Sequence, residues 1–436
     1  MKILKPLFLV FALVFVLSGC SGFRIASSID DLISPISPIG DDAGAQNALD
    51  EFCKGGYSSK IPTSGKYSTS FVFSDLDGDD VDEAVAFYEA SNSSGTMSMA
   101  VIKKTGDKWS VVDNISAAAT DVNSLDFCDL TDDGIPEIIV CWSVFSKTSG
   151  STISVYSNNT NDSAFKYYEI DKPISSSNFI CLDMNDDGVQ ELLTFTNNSS
   201  LESPSASLYS YSGEHRVLLG STKLDNNINS FESVNCAKTD NGMTVFADAV
   251  KSDGSSMVTE LIYWSDYYNS IISPFYSYST GKTTQTTRSN SITCRDIDED
   301  GNIEIPTDEN ISNLPAELRV QNWMKYGNTV LSHRCYSISS KRDGIIIVIP
   351  DKAFKEIKLE YNSNERMISA YTKEDNKKLF DIVTIIKASL DGSKNKYDSY
   401  TEVFSNSGFV YLADITPDAE DYGIDEKTLA NMIKPY

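Results

Sequence analysis

Short apolar runs alternate with acidic loops along most of the chain, and their order repeats. One copy has the apolar run SLDFC at 124–128, an acidic loop, the apolar run IIVCW at 138–142, and then STISVYS at 151–157 and AFKYYEI at 164–170. Runs of this length that are bounded by Ser, Asn, Gly and Asp turns are typical of β-strands. Each copy therefore predicts four short strands.

The acidic loops recur at a nearly constant interval. DLDGDDVDE begins at Asp75, DLTDDGIPE at Asp129 and DMNDDGVQE at Asp183, so these starts lie 54 residues apart. A further step of 54 residues reaches AKTDNGMTV at Ala237, which lacks the first and last acids, and DIDEDGNIE follows 59 residues later at Asp296. A fixed period of this kind indicates a repeat architecture such as a solenoid, a propeller or an array.

Four strands in each repeat describe one blade of a β-propeller. A β-sandwich would also contain regular strands, but it would not repeat an acidic loop at one register. We therefore predict a mainly β fold in which residues 61–338 form a β-propeller of about five four-stranded blades. Five blades alone would close the ring, or a further blade without a loop would come from flanking sequence, and the sequence leaves both open.

The repeat pattern stops near residue 338. Beyond it the predicted strands GIIIVIP, EIKLEY and MISAYT come without an acidic loop, and the chain ends in GIDEKTLANMI. Asp425 in that last segment is placed to cap a short helix with one apolar side. We predict a separate small α+β domain at 339–436, with the junction at 338–344.

The N-terminus has the features of an export signal at residues 1–19. Lys2 and Lys5 precede an apolar run from Pro6 to Leu17, and LSGC follows and ends at Cys20. LSGC matches the bacterial lipobox, in which the cysteine receives a diacylglycerol before the signal peptide is removed. The alternative is an uncleaved membrane anchor, but the apolar run is short for a helix that needs about 20 residues to cross a bilayer. We predict an exported lipoprotein, attached through Cys20 to the outer face of the cell membrane.

Residues 20–60 connect this anchor to the repeats. Their first part contains SPISPIGDDAG, whose Ser, Pro and Gly residues are typical of a tether. The following AQNALDEFCKG has apolar side chains at Ala48, Leu49, Phe52 and Cys53. This spacing predicts one short amphipathic helix that docks on the repeats.

The acidic loops place oxygen-bearing side chains at alternate positions, as a calcium loop requires. Ca²⁺ takes roughly six to eight oxygen ligands at about 2.3–2.6 Å. With the first Asp as position one, the predicted ligands are the side chains at positions one, three, five and nine and the backbone carbonyl at position seven. The predicted sets are Asp75, Asp77, Asp79, Val81 and Glu83; Asp129, Thr131, Asp133, Ile135 and Glu137; Asp183, Asn185, Asp187, Val189 and Glu191; and Asp296, Asp298, Asp300, Asn302 and Glu304.

About four Ca²⁺ ions are therefore expected, and none at the Ala237 register, which offers only Thr239 and Asn241 as side-chain ligands. Position six is Gly in three of the four intact loops, which permits a left-handed backbone, and Asp80 takes this place in the first loop.

The loops differ from an EF-hand, although both begin in the same way. An EF-hand closes with an acid at position twelve, where these loops have Ala86, Val140, Thr194 and Thr307. Here the closing acid stands at position nine, and strand-forming residues follow it.

This arrangement resembles the calcium loops of FG-GAP/VCBS-type repeats, as in the propeller of integrin alpha subunits and in many bacterial surface proteins. The resemblance covers residues 61–338. With the lipobox and the C-terminal segment, the whole chain is similar to VCBS-repeat lipoproteins of Gram-positive bacteria, a match that implies no known activity. The five registers counted here are fewer than the blades of an integrin propeller.

The charge of the chain excludes one class of partner. Acidic residues number 62 against 36 Lys and Arg, and the formal net charge is −26. Such a chain repels phosphate backbones, so no nucleic-acid partner is expected. Part of this excess of acids would be metal-binding capacity.

The sequence favours a non-enzymatic cell-surface module that binds or scaffolds an unknown protein or glycan ligand. His215 and His333 are the chain's two histidines and stand in no catalytic motif, and neither GxSxG nor HExxH occurs. The alternative is an extracellular carbohydrate-active enzyme that uses propeller carboxylates, because the acidic loops would mask a catalytic pair. A purely structural role in the cell envelope is a third possibility.

Cys20→Ala is expected to abolish lipid attachment. The diacylglycerol carries two acyl chains, which anchor stably where a single chain binds only marginally. Intact-mass measurement of the membrane-extracted protein should find the diacylglycerol on the wild type and on a Cys53→Ala control, but not on Cys20→Ala. A diacylglycerol mass on Cys20→Ala would contradict the prediction.

Overall fold

The computed structural model of the chain describes residues 40–54, 56–93, 95–144, 150–158, 165–197, 203–289, 291–311, 313–389 and 396–436. With 53% strand and 9% helix the fold is mainly β, and several sheets are four-stranded and antiparallel, which confirms this part of the prediction. The predicted export signal and Cys20 lie outside the described residues. Within the described part, no helix is long and apolar enough to cross a membrane.

Four antiparallel sheets follow one another along the first four repeats. The first contains β1 (Tyr57–Lys60), β2 (Val72–Ser74), β3 (Glu83–Ala90), β4 (Met97–Thr105) and β5 (Lys108–Ala117). The second contains β6 (Asp121–Cys128), β7 (Glu137–Ser143), β8 (Ser151–Asn158) and β9 (Tyr167–Glu169). The third contains β10 (Asn178–Leu182), β11 (Glu191–Thr196), β12 (Ser205–Ser212) and β13 (His215–Lys223). The fourth contains β14 (Ile228–Thr239), β15 (Gly242–Lys251), β16 (Met257–Ser265) and β17 (Ser270–Ile272).

A short ribbon and two five-stranded sheets complete the chain. The ribbon pairs β18 (Tyr276–Ser277) with β19 (Lys282–Thr283). The fifth sheet contains β20 (Glu304–Glu309), β21 (Arg319–Gly327), β22 (Val330–Ser340), β23 (Ile345–Ile349) and β29 (Ile433–Pro435). The sixth contains β24 (Ile357–Asn362), β25 (Met367–Thr372), β26 (Lys378–Ile386), β27 (Thr401–Ser405) and β28 (Phe409–Ile415). The helices are α1 (Asp41–Phe52), α2 (Asp351–Glu356) and α3 (Glu426–Met432), with 3₁₀ turns at Lys387–Ser389 and Pro417–Tyr422.

Strand register places each acidic loop at the same point of its sheet. In the first three repeats the loop joins two antiparallel neighbours, and the closing glutamate is the first residue of the second strand. The pairs that flank the loops are Ser74 with Glu83, Cys128 with Glu137, and Leu182 with Glu191. In the fifth repeat Glu304 starts β20 and forms a bridge with Arg295. The predicted order of apolar run, loop and second apolar run is therefore confirmed.

Hydrophobic clusters join each sheet to the next. The ring of Phe87 in the first sheet meets that of Trp142 in the second edge-on, with 5.5 Å between their centroids. The clusters between later pairs of sheets contain Ile139 and Leu192, Leu193 and Val245, Phe246 and Ile305, and Ile347 and Phe380. Successive strand residues point to opposite faces, so Leu192 packs toward the second sheet and Leu193 toward the fourth. Sheets buried on both faces account for the continuous apolar runs after the loops.

One cavity of about 740 Å³ is lined by strand segments of the second, third and fourth sheets and by loop segments that precede β2 and β20. The segments lie at 64–66, 124–126, 178–180, 231–236 and 294–296. Lys66 Nζ donates to Asp126 Oδ1 at 2.7 Å, which ties the first segment to the second. This arrangement around a shared cavity is propeller-like. Among the described residues no hydrophobic cluster joins the first sheet to the fifth or sixth, and a closed propeller is not detected.

The fifth sheet extends beyond the predicted domain boundary at 338–344. Strand β22 runs through residue 338, β23 continues the same sheet, and β29 adds residues from the end of the chain. Ile347 pairs with Ile433, and both belong to the cluster shared by the fifth and sixth sheets. Strands β23 and β29 thus belong to the fifth sheet, while β24 to β28 form a sheet of their own. An acidic loop lies near the start of a repeat. The lack of an acidic loop after residue 304 therefore gave no information about where the fifth sheet ends.

Both helices predicted from apolar spacing and capping are present. Helix α1 buries Ala48 and Leu49 in a cluster with the first sheet. Phe52, predicted on the same face, is 47% exposed, because it is the last residue of the helix. In α3 the Asp425 side chain accepts the Thr428 N–H at 2.8 Å, and this capping box defines where the helix starts.

Ile433→Ala is expected to lower the free energy of unfolding by about 2–5 kcal/mol, because it removes buried methyl and methylene groups from the core of two sheets. Ile433 is 2% exposed. The matched control is Ile386→Ala, whose side chain is 46% exposed, with an expected change within about 0.5 kcal/mol. Urea unfolding measures both, and equal losses would contradict the placement of β29 in the core.

Candidate metal centres in the acidic loops

One hydrogen-bonded frame is common to the four acidic loops, which we number after their sheets as the first (75–83), second (129–137), third (183–191) and fifth (296–304) loops. The two carboxylate oxygens of the first Asp accept the backbone N–H groups at positions five and six, at 2.8 to 3.2 Å. The Asp at position five then accepts the N–H at position seven at 2.9 Å in each loop. The carboxylate at position one thus accepts the hydrogen bonds that hold each loop in a tight turn, which explains why every loop begins with Asp.

Two left-handed residues reverse the chain inside each loop, at positions four and six. In the second, third and fifth loops an acid stands at four and a glycine at six; the pairs are Asp132 and Gly134, Asp186 and Gly188, and Glu299 and Gly301. In the first loop the order is exchanged, with Gly78 at four and Asp80, at φ 64°, at six. The sequence analysis predicted a left-handed residue at position six but not at position four. The glycine at position four of the first loop indicated that this position is left-handed as well.

The closing glutamates tie each loop to its sheet. Each is at most 1% exposed, and its Oε2 accepts the N–H of position two at 2.8 to 3.2 Å. The side chain at position two is itself buried in every loop, as Leu76, Leu130, Met184 or Ile297. Burial raises the pKa of all four carboxyl groups, to about 7 for Glu191 and Glu304. A nearby dication would favour their ionised form.

In three loops the carboxylates gather closely enough to share one ion. The groups whose ligand oxygens lie within 4.8 Å of one another are Asp75, Asp77 and Glu83; Asp183, Asp187 and Glu191; and Asp296, Asp298 and Asp300. Asp298 Oδ1 and Glu304 Oε1 of the fifth loop are hidden from solvent and have no hydrogen-bond donor. Burying such oxygens is unfavourable unless they find a partner. A bound metal ion would supply one, so these acidic groups are able to hold a metal ion.

In the second loop, hydroxyl groups donate hydrogen bonds to the closing glutamate. Thr131 Oγ1 donates to Glu137 Oε1 at 3.1 Å, and Ser157 Oγ donates to the same oxygen at 3.0 Å. Among the described residues this loop contributes no group of three gathered acids. Its predicted ligands Asp129, Thr131 and Glu137 therefore lie in one loop, but its carboxylates are not drawn together as in the other loops.

A lysine from the neighbouring strand enters the first loop. Lys103 Nζ lies 2.9 Å from Asp79 Oδ2 and 3.1 Å from Glu83 Oε1, and it also contacts the Asp77 carboxylate. Burial opposes the charge of Lys103, but the three carboxylates outweigh it and raise the pKa of its ammonium group. The sequence analysis missed this residue.

The fifth loop has a cationic neighbour of a different kind. Arg334 Nε lies 2.6 Å from Asp298 Oδ2, and its Nη2 lies 3.3 Å from Asp300 Oδ2. The guanidinium contacts the Oδ2 atoms of both residues, while Asp298 Oδ1 has no hydrogen-bond donor. In the part of the chain that the structure describes, no ion pair involves the third loop.

The fourth repeat replaces the loop with a tight turn. Thr239 pairs with Gly242, so β14 and β15 form a hairpin through the Ala237 register. Buried charges in this repeat lie elsewhere, as in the pair of Lys251 Nζ with Asp225 Oδ2 at 2.8 Å. Burial raises the pKa of the neighbouring Glu260 to about 7. These buried groups belong to the core of the fourth repeat and not to a loop.

Comparisons with known proteins identify no family. No protein-family model matches the chain, and no curated protein matches it. A crystal structure of the exotype rhamnogalacturonan lyase YesX is similar over 73% of this chain and 71% of the lyase chain, at 11% identity and a TM-score of 0.27.

Proposed function

We propose that this chain is a calcium-stabilised, propeller-like module of the cell surface, lipid-anchored at Cys20, that binds a protein or glycan without transforming it. The observation that carries the proposal is the repetition of one loop frame at four equivalent places, with gathered carboxylates in three of them. An acidic turn that served only solubility would not hide donor-free carboxylate oxygens, as the fifth loop does.

The chemistry of the donor set favours Ca²⁺ among common metal ions. Every predicted ligand is an oxygen, and no His or Cys stands at a ligand position. Oxygen donors of this kind suit Ca²⁺ and Mg²⁺, but Mg²⁺ requires a smaller and nearly ideal octahedron. The position-seven carbonyls of Val81, Ile135, Val189 and Asn302 complete the proposed sets.

The ion would act on the fold through the strands that flank each loop. The third loop connects the edge strand β10 to β11, and Glu191 is the first residue of β11. An ion held by Asp183, Asp187 and Glu191 would fix both strand ends in one geometry. We propose that the five sheets around the central cavity close as a ring, with calcium limiting the movement of their inner strands.

Exposed aromatic side chains supply a surface for a partner. Tyr267 is 88% exposed and Tyr268 65% exposed, on the turn between β16 and β17. Beside this turn, the third loop, the fourth hairpin and residues 263–266 line a cavity of about 500 Å³. Tyrosine offers a large apolar face and a polar tip, which suits either a protein or a glycan ligand.

Removing a ligand from the third loop should weaken stabilisation by calcium. One site contributes RT ln(1 + [Ca²⁺]/Kd), about 1.4 kcal/mol when the ion is at ten times Kd. In Glu191→Gln the rise in melting temperature between EDTA and ~1 mM Ca²⁺ should be smaller than in the wild type. The matched control is Glu260→Gln, a buried glutamate outside the loops, which should keep the full calcium effect. The proposal would be refuted if Ca²⁺ did not change the melting temperature of the wild type.

Binding without turnover is expected against a panel of polysaccharides and surface proteins. The wild type should retain a ligand saturably, and Tyr267→Ala with Tyr268→Ala should weaken retention by about tenfold, since exposed aromatics often carry binding energy. Tyr278→Ala is the control, because that side chain is 75% exposed but lies in the β18–β19 turn. Steady release of reducing sugar during the same incubation would establish the enzymatic alternative.

A further inference from the structure

The ammonium group of Lys103 lies among the carboxylates of the first loop. It contacts the carboxylates at positions three, five and nine, which are three of the four side chains predicted to hold Ca²⁺. The 2.9 Å contact with Asp79 is a charge-assisted hydrogen bond, and the 3.1 Å contact with Glu83 Oε1 is an ion pair without hydrogen-bond geometry. The three carboxylates of this loop therefore already have a cation from the protein itself.

Strand register directs Lys103 into the loop. The pair Ala84 with Ile102 places the next residues, Glu83 and Lys103, opposite each other on one face. The Lys103 side chain is 19% exposed, and its Nζ lies 5.2 Å from the centre of the Phe165 ring in the second repeat. A lysine packed in this way does not swing freely into solvent.

The equivalent position differs among the loops. Opposite the closing glutamate of the second loop stands Ser157, which donates a neutral hydroxyl to Glu137. In the third loop the pair Leu192 with Tyr209 places Ser210 opposite Glu191. In the fifth loop Lys325 pairs with Glu304 across the strands, but among the described residues no ion pair reaches the Glu304 carboxylate. Only in the first loop, among the described residues, does a cation contact the closing glutamate.

We propose that the Lys103 ammonium takes the place of Ca²⁺ in the first loop, which binds no metal, whereas the third loop does bind Ca²⁺. This inference rests on the proposed calcium-binding function. A dication and an ammonium group that share the same three carboxylates would be only a few ångströms apart and would repel each other. The first loop is thus held by an internal ion pair that is independent of the calcium concentration.

A reciprocal exchange of Lys103 and Ser210 tests the inference. The number of Ca²⁺ ions bound by the folded chain is measured by equilibrium dialysis and elemental analysis at saturating Ca²⁺. Lys103→Ser gives the first loop the residue found in the second and third loops, and it should bind one more ion than the wild type. Ser210→Lys should bind one ion fewer. Lys104→Ser is the matched control, because Lys104 pairs with Asp41 outside the loop, and it should leave the count unchanged.

The outcomes separate this inference from the proposed function. Equal counts for the wild type and Lys103→Ser would overturn the inference while leaving calcium binding at the other loops intact. Calcium bound to none of the variants would overturn the proposed function and this inference with it. A gain of one ion in Lys103→Ser cannot result from misfolding, since an unfolded chain loses its assembled sites. That gain supports the inference even if Ser210→Lys folds poorly.

Discussion

The buried glutamate that closes each acidic loop is the contact on which the repeat depends. It is the first residue of the strand that follows the loop, and its carboxylate accepts the N–H of a core residue at position two. The loop is therefore fastened to the sheet at both ends, and the first Asp shapes what lies between. Because the closing carboxylate is buried, it needs a compensating cation or a set of donors. The loops meet this need in different ways: Lys103 in the first, hydroxyl groups in the second, and gathered acids around a proposed ion in the third and fifth.

The same constraint explains the fourth repeat. Val245 stands there at position nine, where the other repeats have glutamate, and it is buried in the cluster between the third and fourth sheets. Without a buried carboxylate there is nothing for a loop to neutralise, and β14 continues into β15 through a short turn. The loop and its closing acid are thus lost together. Stability at this position comes from apolar packing instead.

The sequence predicted what local spacing determines, and it missed what depends on pairing across strands. The loops, the strands beside them and the cap at Asp425 follow from short patterns, so they could be read directly. The contact of Lys103 with Glu83 depends on the length of the β3–β4 hairpin, which the acidic motif does not specify. The extension of the fifth sheet past residue 338 was not predicted, because Ile433 returns to pair with Ile347 across a long stretch of chain. No local pattern marks such a pairing.

The return of the C-terminus to the fifth sheet has a consequence for how the chain is made. Synthesis delivers the N-terminal repeats first, and each can pack on its predecessor as it emerges. Strand β23, with the apolar sequence IIIVI, has no partner on its outer side until β29 is available. A chain without β29 would present β23 as an open edge, which is a template for aggregation. By pairing with β23, β29 thus covers the edge that this apolar strand would otherwise offer to a second chain.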